Sequence, residues 1–202
     1  MTFVTIINRK IKVFPPNLVY IVGLFPATYY LYMAFNDSLG PDPLKALEHE
    51  LGHFSLKLMV VVLAITPLKD LLKINLVKFR RAFGLLAFVY ATLHVLTYFI
   101  LDQQLIISLI LNDFSKKPFI IFGAIAFMFL IPLAITSNNY SIKLLKPVYW
   151  KRLHRLVYFS VIAIVFHYIL SVKAWPLEPI IYAILLLILI IYRGVTKYVL
   201  RN

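Results

Sequence analysis

The chain has 202 residues, of which 62% are hydrophobic, only 14% are charged and none is cysteine; its mean hydropathy is +0.88. Soluble domains average about 45–50% apolar and ~25% charged residues, so that class and intrinsic disorder are excluded and a polytopic membrane protein is left. The lack of cysteine excludes disulfides, thiolate zinc sites, iron–sulfur clusters and covalently attached c-type haem, and the formal charge of +13 reads as the Lys/Arg bias of cytoplasmic loops rather than as nucleic-acid binding.

A membrane span needs roughly 20 mostly apolar residues. Six such stretches follow one another: 17–36, 53–69, 82–101, 118–136, 153–172 and 177–193. Backbone in lipid must satisfy its own hydrogen bonds, so all six are expected to be helices and the fold all-α. The first is too long for a cleaved signal, and no Ala-x-Ala-like site follows it. Pro26, Pro67 and Pro132 lie within or near spans, where neighbouring helices can cover the freed carbonyls. No internal repeat and no separate soluble domain is evident.

Charge gives the direction. Arg9, Lys10 and Lys12 precede the first span. Lys69, Lys73, Lys78, Arg80 and Arg81 join the second and third. Lys143, Lys146, Lys151, Arg152 and Arg155 join the fourth and fifth, and Arg193, Lys197 and Arg201 end the chain. These are 16 of the 21 basic residues, all on one face. Lys45, Lys57, Lys116, Lys117 and Lys173 lie on the other, with every acid except Asp70. The expected topology has both termini in the cytoplasm.

Ionisable side chains inside a membrane are costly and are functional candidates by default. Of the five histidines, His94, His154 and His167 fall within spans. His94 lies 13 residues past Arg81, and His167 lies 14 past Leu153. At ~1.5 Å per residue both sit about 20 Å from the inner edge, at matched depth in the outer half of the bilayer. Two imidazoles at one level, with no thiolate or carboxylate beside them, suit bis-imidazole haem b. Gly84, Ala87 and Ala91 form a small-residue stripe leading to His94, as Ser160 and Ala163 do to His167. A stripe of this kind serves a flat macrocycle or close helix packing, and both readings stay open.

His154 lies 13 residues before His167, about 20 Å lower and ~220° around an ideal helix. The matching position on the third span is Arg81, so a second, inner haem needs another ligand. An interfacial histidine is the alternative.

His49-Glu50-Leu51-Gly52-His53 matches H-E-x-x-H, which on a helix sets two imidazoles one turn apart for zinc, with glutamate as base. A catalytic zinc needs a third protein ligand. Asp102, Asp113 and Glu178 share the outer face, but none belongs to a supporting motif. Gly52 weakens a helix here, and Pro41 and Pro43 suggest a loop entering the segment. A zinc metalloprotease and a transporter without a redox cofactor are the two competing functions.

Arg80-Arg81-x-x-Gly84, continued by Ala91-Thr92-Leu93-His94 and Tyr98, forms one motif. Trp150-x-x-Leu153-His154-x-x-Val157-Tyr158, continued by His167-Tyr168-x-x-Ser171-Val172-Lys173, forms a second. Gly40-x-Asp42-Pro43, Leu63-Ala64-Ile65-Thr66-Pro67-Leu68 and Ala134-Ile135-Thr136-Ser137 accompany them. In combination they resemble the MsrQ (YedZ) family, haem-binding membrane subunits of bacterial periplasmic methionine sulfoxide reductase systems, within the ferric-reductase-like transmembrane superfamily. The resemblance covers nearly the whole chain, as one domain spanning 1–202.

The resemblance implies a membrane cytochrome b of the bacterial inner membrane that takes electrons from quinol, or from a flavin on the cytoplasmic side. It would deliver them to a periplasmic molybdopterin-containing catalytic subunit, which repairs oxidised methionine. His94 and His167 carry over as axial ligands of the outer haem, and His154 as a ligand or near-ligand on the inner side. FMN is also associated with the family. Arg80 and Arg81 are the candidates for a flavin phosphate or haem propionate, with positive-inside anchoring as the alternative. Related oxidases carry four histidines for two haems; three here leave one haem or two. His49 matches the family, whereas histidine at position 53 is not expected in it.

Overall fold

The computed structural model describes residues 3–172 and 177–199, with side chains through Thr196. Lys173, Arg201 and the side chain of Lys197, which the orientation by charge also uses, lie outside these residues. The regular structure of the described residues is all helical: α1 Phe3–Val13, α2 Pro16–Phe35, α3 Pro43–Leu71, α4 Arg80–Leu96, α5 Ile107–Lys116, α6 Pro118–Ile135, α7 Asn139–Leu153, α8 Leu156–Ser171 and α9 Leu177–Val199. A 3₁₀ turn, Val77–Phe79, leads into α4, and a π-helical turn, Thr97–Asp102, prolongs it.

Five helical stretches are long and apolar enough to cross a membrane: α2, α3, Val77–Asp102, α6 and Leu177–Thr196. α8, at the remaining expected span, passes the same test only together with α7, from which it is bent by 42°. The expected spans are therefore present, with two corrections. α3 begins ten residues before the expected 53, because Pro43 starts the helix rather than breaking it. Proline at the first helical position gives up an N–H that has no partner there anyway, and the Asp42 side chain caps the turn by accepting from Lys45 N at 3.1 Å. The fifth span starts at Leu156, not 153. His154 sits in the break as the C-cap of α7, its N–H bonded to Trp150 O.

Three helices form outside the expected spans. α1 is a basic amphipathic helix that buries no residue, and α5 is a ten-residue helix at the opposite end. α7 changes direction at Lys146, whose φ of 60° precedes Pro147. They are too short or too charged to span, so hydropathy alone did not mark them.

The core is four helices. α3 packs antiparallel on α4, α6 packs antiparallel on α8, and α4 meets α6; α2 covers α3 and α4, while α9 covers α3 and α8. Leu63, Ile65, Ala87, Tyr90, Val161 and Ser160 are fully buried at the seams. Outward faces carry exposed Ile21, Phe25, Met128 and Ile188, as lipid-facing surfaces do.

The two core pairs repeat one construction, which corrects the expectation of no internal repeat. Ser55 Oγ on α3 donates to Ala87 O on α4 at 2.8 Å. Ser160 Oγ on α8 donates to Ala126 O on α6 at 3.0 Å. Ala87 and Ser160 each stand seven residues before a histidine, His94 and His167. Leu63-Ala64-Ile65-Thr66 on α3 recurs as Leu133-Ala134-Ile135-Thr136 on α6, and both threonines face the partner helix. Thr66 Oγ1 accepts from Arg80 Nη2 at 2.9 Å, and Thr136 Oγ1 contacts His154 Nε2 at 3.0 Å.

Candidate haem site

α4 and α8 bring the side chains of His94 and His167 together. Their ring centres are 6.1 Å apart and the planes stand at 83°. His94 Nδ1 lies 2.8 Å from Glu48 O on α3, and His167 Nδ1 lies 2.7 Å from Phe119 O on α6. A carbonyl only accepts, so Nδ1 carries the hydrogen in each ring and Nε2 keeps its lone pair. That is the tautomer a metal-ligating imidazole needs, held by the outer-shell hydrogen bond such ligands make.

With their Nε2 atoms free and their ring centres 6.1 Å apart, His94 and His167 are the residues that would hold one haem iron between α4 and α8. The backbone is also cleared for the rings. A Cβ on Gly52 would stand 3.1 Å from His94 Nδ1, and one on Gly123 would stand 2.7 Å from His167 Nδ1. Both imidazoles therefore lie against bare backbone.

Of the small-residue stripes, Ala87 and Ser160 are in the helix seams and bond across them. Gly84 differs, since a Cβ there meets nothing within 4 Å. Close packing therefore accounts for Ala87 and Ser160.

His154 is not brought to the other two histidines. It stacks on Trp150 with ring centres 3.8 Å apart. Thr136 Oγ1 donates to Pro132 O at 2.6 Å, so at His154 its oxygen accepts and Nε2 carries the hydrogen. The two arginines also part. Arg80 is half-buried and turns to Thr66, whereas exposed Arg81 donates from Nη2 to Asn139 Oδ1 at 2.8 Å. Arg193, counted in the sequence only as a tail cation, reaches Val62 O at 2.9 Å. The Nε atoms of Arg80 and Arg193 are buried without a partner.

His49 and His53 lie within α3, which runs unbroken through Gly52. Their ring centres are 4.2 Å apart with the planes tilted by 40°. A third ligand does not join them. His53 Nδ1 stands 3.7 Å from Glu178 Oε1. Asp102 accepts from Gln103 Nε2 at 2.7 Å, and Asp113 pairs with Lys117 at 2.8 Å. Among the described residues no three His, Cys, Asp or Glu side chains could hold a metal ion together.

Sequence reasoning missed Gly52, Gly123 and the carbonyls of Glu48 and Phe119. The signal available for the glycines was their register: Gly52 precedes Thr66 by 14 residues and Gly123 precedes Thr136 by 13, each threonine ending a copy of the same tetrapeptide.

Residues 51–165 match the family described as "Ferric reductase like transmembrane component". The chain is also similar to curated relatives named "Protein-methionine-sulfoxide reductase heme-binding subunit MsrQ". Those of Brucella ovis, Brucella canis and Brucella melitensis biotype 2 are each 44% identical over 181 residues, covering 90% of this chain and 82% of the relative.

Proposed function

Because the chain belongs to the ferric reductase like transmembrane family, and within it to the MsrQ haem-binding subunits, we propose that it is the membrane electron-transfer subunit of a periplasmic methionine sulfoxide reductase system. The observation that carries this reading is the His94–His167 pair, with both Nδ1 hydrogens bonded to carbonyls and both Nε2 atoms left for iron. Haem b, when bound, supplies one-electron exchange. The protein's part is to hold the ligands, exclude water and present the site near one surface. No side chain here need act as acid, base or nucleophile.

In this reading the end carrying Arg80 and Arg81 is cytoplasmic, and the histidine pair lies toward the periplasm of a bacterial inner membrane. Electrons enter from quinol or from a flavin at the cytoplasmic side. They leave to a molybdopterin-containing catalytic partner. Arg80, whose Nε is unpartnered, is the better placed of the two arginines for an anionic group such as a flavin phosphate, FMN included. Arg81 is already engaged by Asn139. His154 belongs to the inner level, where the corresponding place is held by Arg80 on Thr66, rather than by the Arg81 expected from residue count, so the pair at His94 and His167 is the site for one haem.

The test is reconstitution. Membranes containing the chain, supplied with quinol or reduced flavin and with the periplasmic partner, reduce methionine sulfoxide. Membranes with His94→Ala do not. Equal activity in both would end the proposal.

A further inference from the structure

The two histidines are held by the same device. In α3, Gly52 faces the His94 ring and the carbonyl four residues earlier, Glu48 O, takes its Nδ1–H. In α6, Gly123 faces the His167 ring and the carbonyl four residues earlier, Phe119 O, takes its Nδ1–H. In a helix that carbonyl is the one the glycine's own N–H meets. The acceptor is reachable because no Cβ stands between ring and backbone at that turn. The serine clasps, three residues beyond each glycine and seven before each histidine, keep the helices of each pair in register.

We propose that Gly52 and Gly123 are positioning residues that set how strongly His94 and His167 donate to the iron. This inference rests on the haem reading above. Each glycine lets its imidazole lie low enough on the neighbouring helix for Nδ1–H to bond the carbonyl one turn back. That bond enriches the ring in electrons and favours the ferric state. The two sites differ in tightness. A methyl group at Gly123 would be 2.7 Å from His167 Nδ1 and 3.0 Å from Cε1, and one at Gly52 would be 3.1 and 3.2 Å from the same atoms of His94. His167 is therefore the more tightly seated of the two rings.

The test uses the full chain purified in detergent with haem bound, in wild type, Gly52→Ala and Gly123→Ala. Gly194→Ala serves as control, because a Cβ there meets nothing within 4 Å. The readouts are haem affinity and reduction potential. Loss of an outer-shell partner weakens binding about 10–100-fold, and each tenfold loss of ferric over ferrous preference raises a one-electron potential by ~59 mV. Both alanine variants are expected to raise the potential and weaken haem binding, Gly123→Ala more than Gly52→Ala, with Gly194→Ala unchanged. If Gly123→Ala does not assemble, Gly52→Ala, with its milder contact, carries the measurement. Wild-type potential and affinity in the variants, while His94→Ala and His167→Ala lose the chromophore, would overturn this inference and leave the haem reading standing. A chromophore that survives both histidine changes would overturn the haem reading and this inference with it.

Discussion

The imidazole planes of His94 and His167 stand at 83° to one another, with ring centres 6.1 Å apart. Rings held at this angle on one iron would donate π density into different d orbitals and leave those orbitals close in energy. The oxidised protein is expected to show the strongly anisotropic low-spin ferric signal of perpendicular imidazoles in low-temperature paramagnetic resonance. A rhombic signal of the parallel-plane kind would contradict the ring geometry.

Tyr90 on α4 reaches across to α2. Its hydroxyl donates to Gly23 O at 2.7 Å and accepts from Ala27 N at 2.9 Å. These are the two groups a helix would join directly, and they flank Pro26, which has no N–H to offer. Tyr90→Phe removes the hydroxyl that bridges these two groups at a place where Tyr90 and Ala27 are buried. It is expected to cost about 1–3 kcal/mol of stability, read by thermal unfolding, while haem content stays at the wild-type level.

The serine clasps make a separate prediction. Interhelical hydrogen bonds in membranes are worth about 0.6–2 kcal/mol. Ser55→Ala and Ser160→Ala should each destabilise by about that much. Because they close different seams and share no partner, the double variant should lose roughly the sum. Stability measured by thermal unfolding in detergent checks this, and a double variant no worse than either single one would show that the seams are not independent.

Much of this was legible in the sequence because lipid imposes simple arithmetic. The spans followed from the length needed to cross, and the pairing of His94 with His167 followed from equal depth on parallel-running helices. What stayed hidden depends on contacts between segments distant in sequence. Pro43 reads as a breaker, yet at the first turn it starts α3. Gly52 reads as a helix weakness, yet it is where His94 meets backbone. Ala87 and Ser160 read equally as room for a macrocycle or as close packing, and only the folded seams decide for packing. The duplicated hairpin went unseen because its copies share little beyond the tetrapeptide ending in Thr66 and Thr136, and a serine on opposite partners does the same work in each.

The place of His154 gives a further expectation. Its Nε2 is spent on Thr136 and its ring is stacked on Trp150, one level away from the histidine pair. His154→Ala is expected to keep the haem held by His94 and His167, with one haem per chain by pyridine haemochrome assay. Loss of half the haem in this variant would mean that a second centre sits at the inner level.

The most direct test of the whole account is the dithionite-reduced minus oxidised absorption spectrum of the purified full chain, from cells with ample haem, beside His94→Ala and His167→Ala. The wild type should show the bands of a low-spin b-type cytochrome, and each variant should lose that same chromophore. A colourless wild type, or two histidine variants that lose different haems, would contradict a single iron held between α4 and α8.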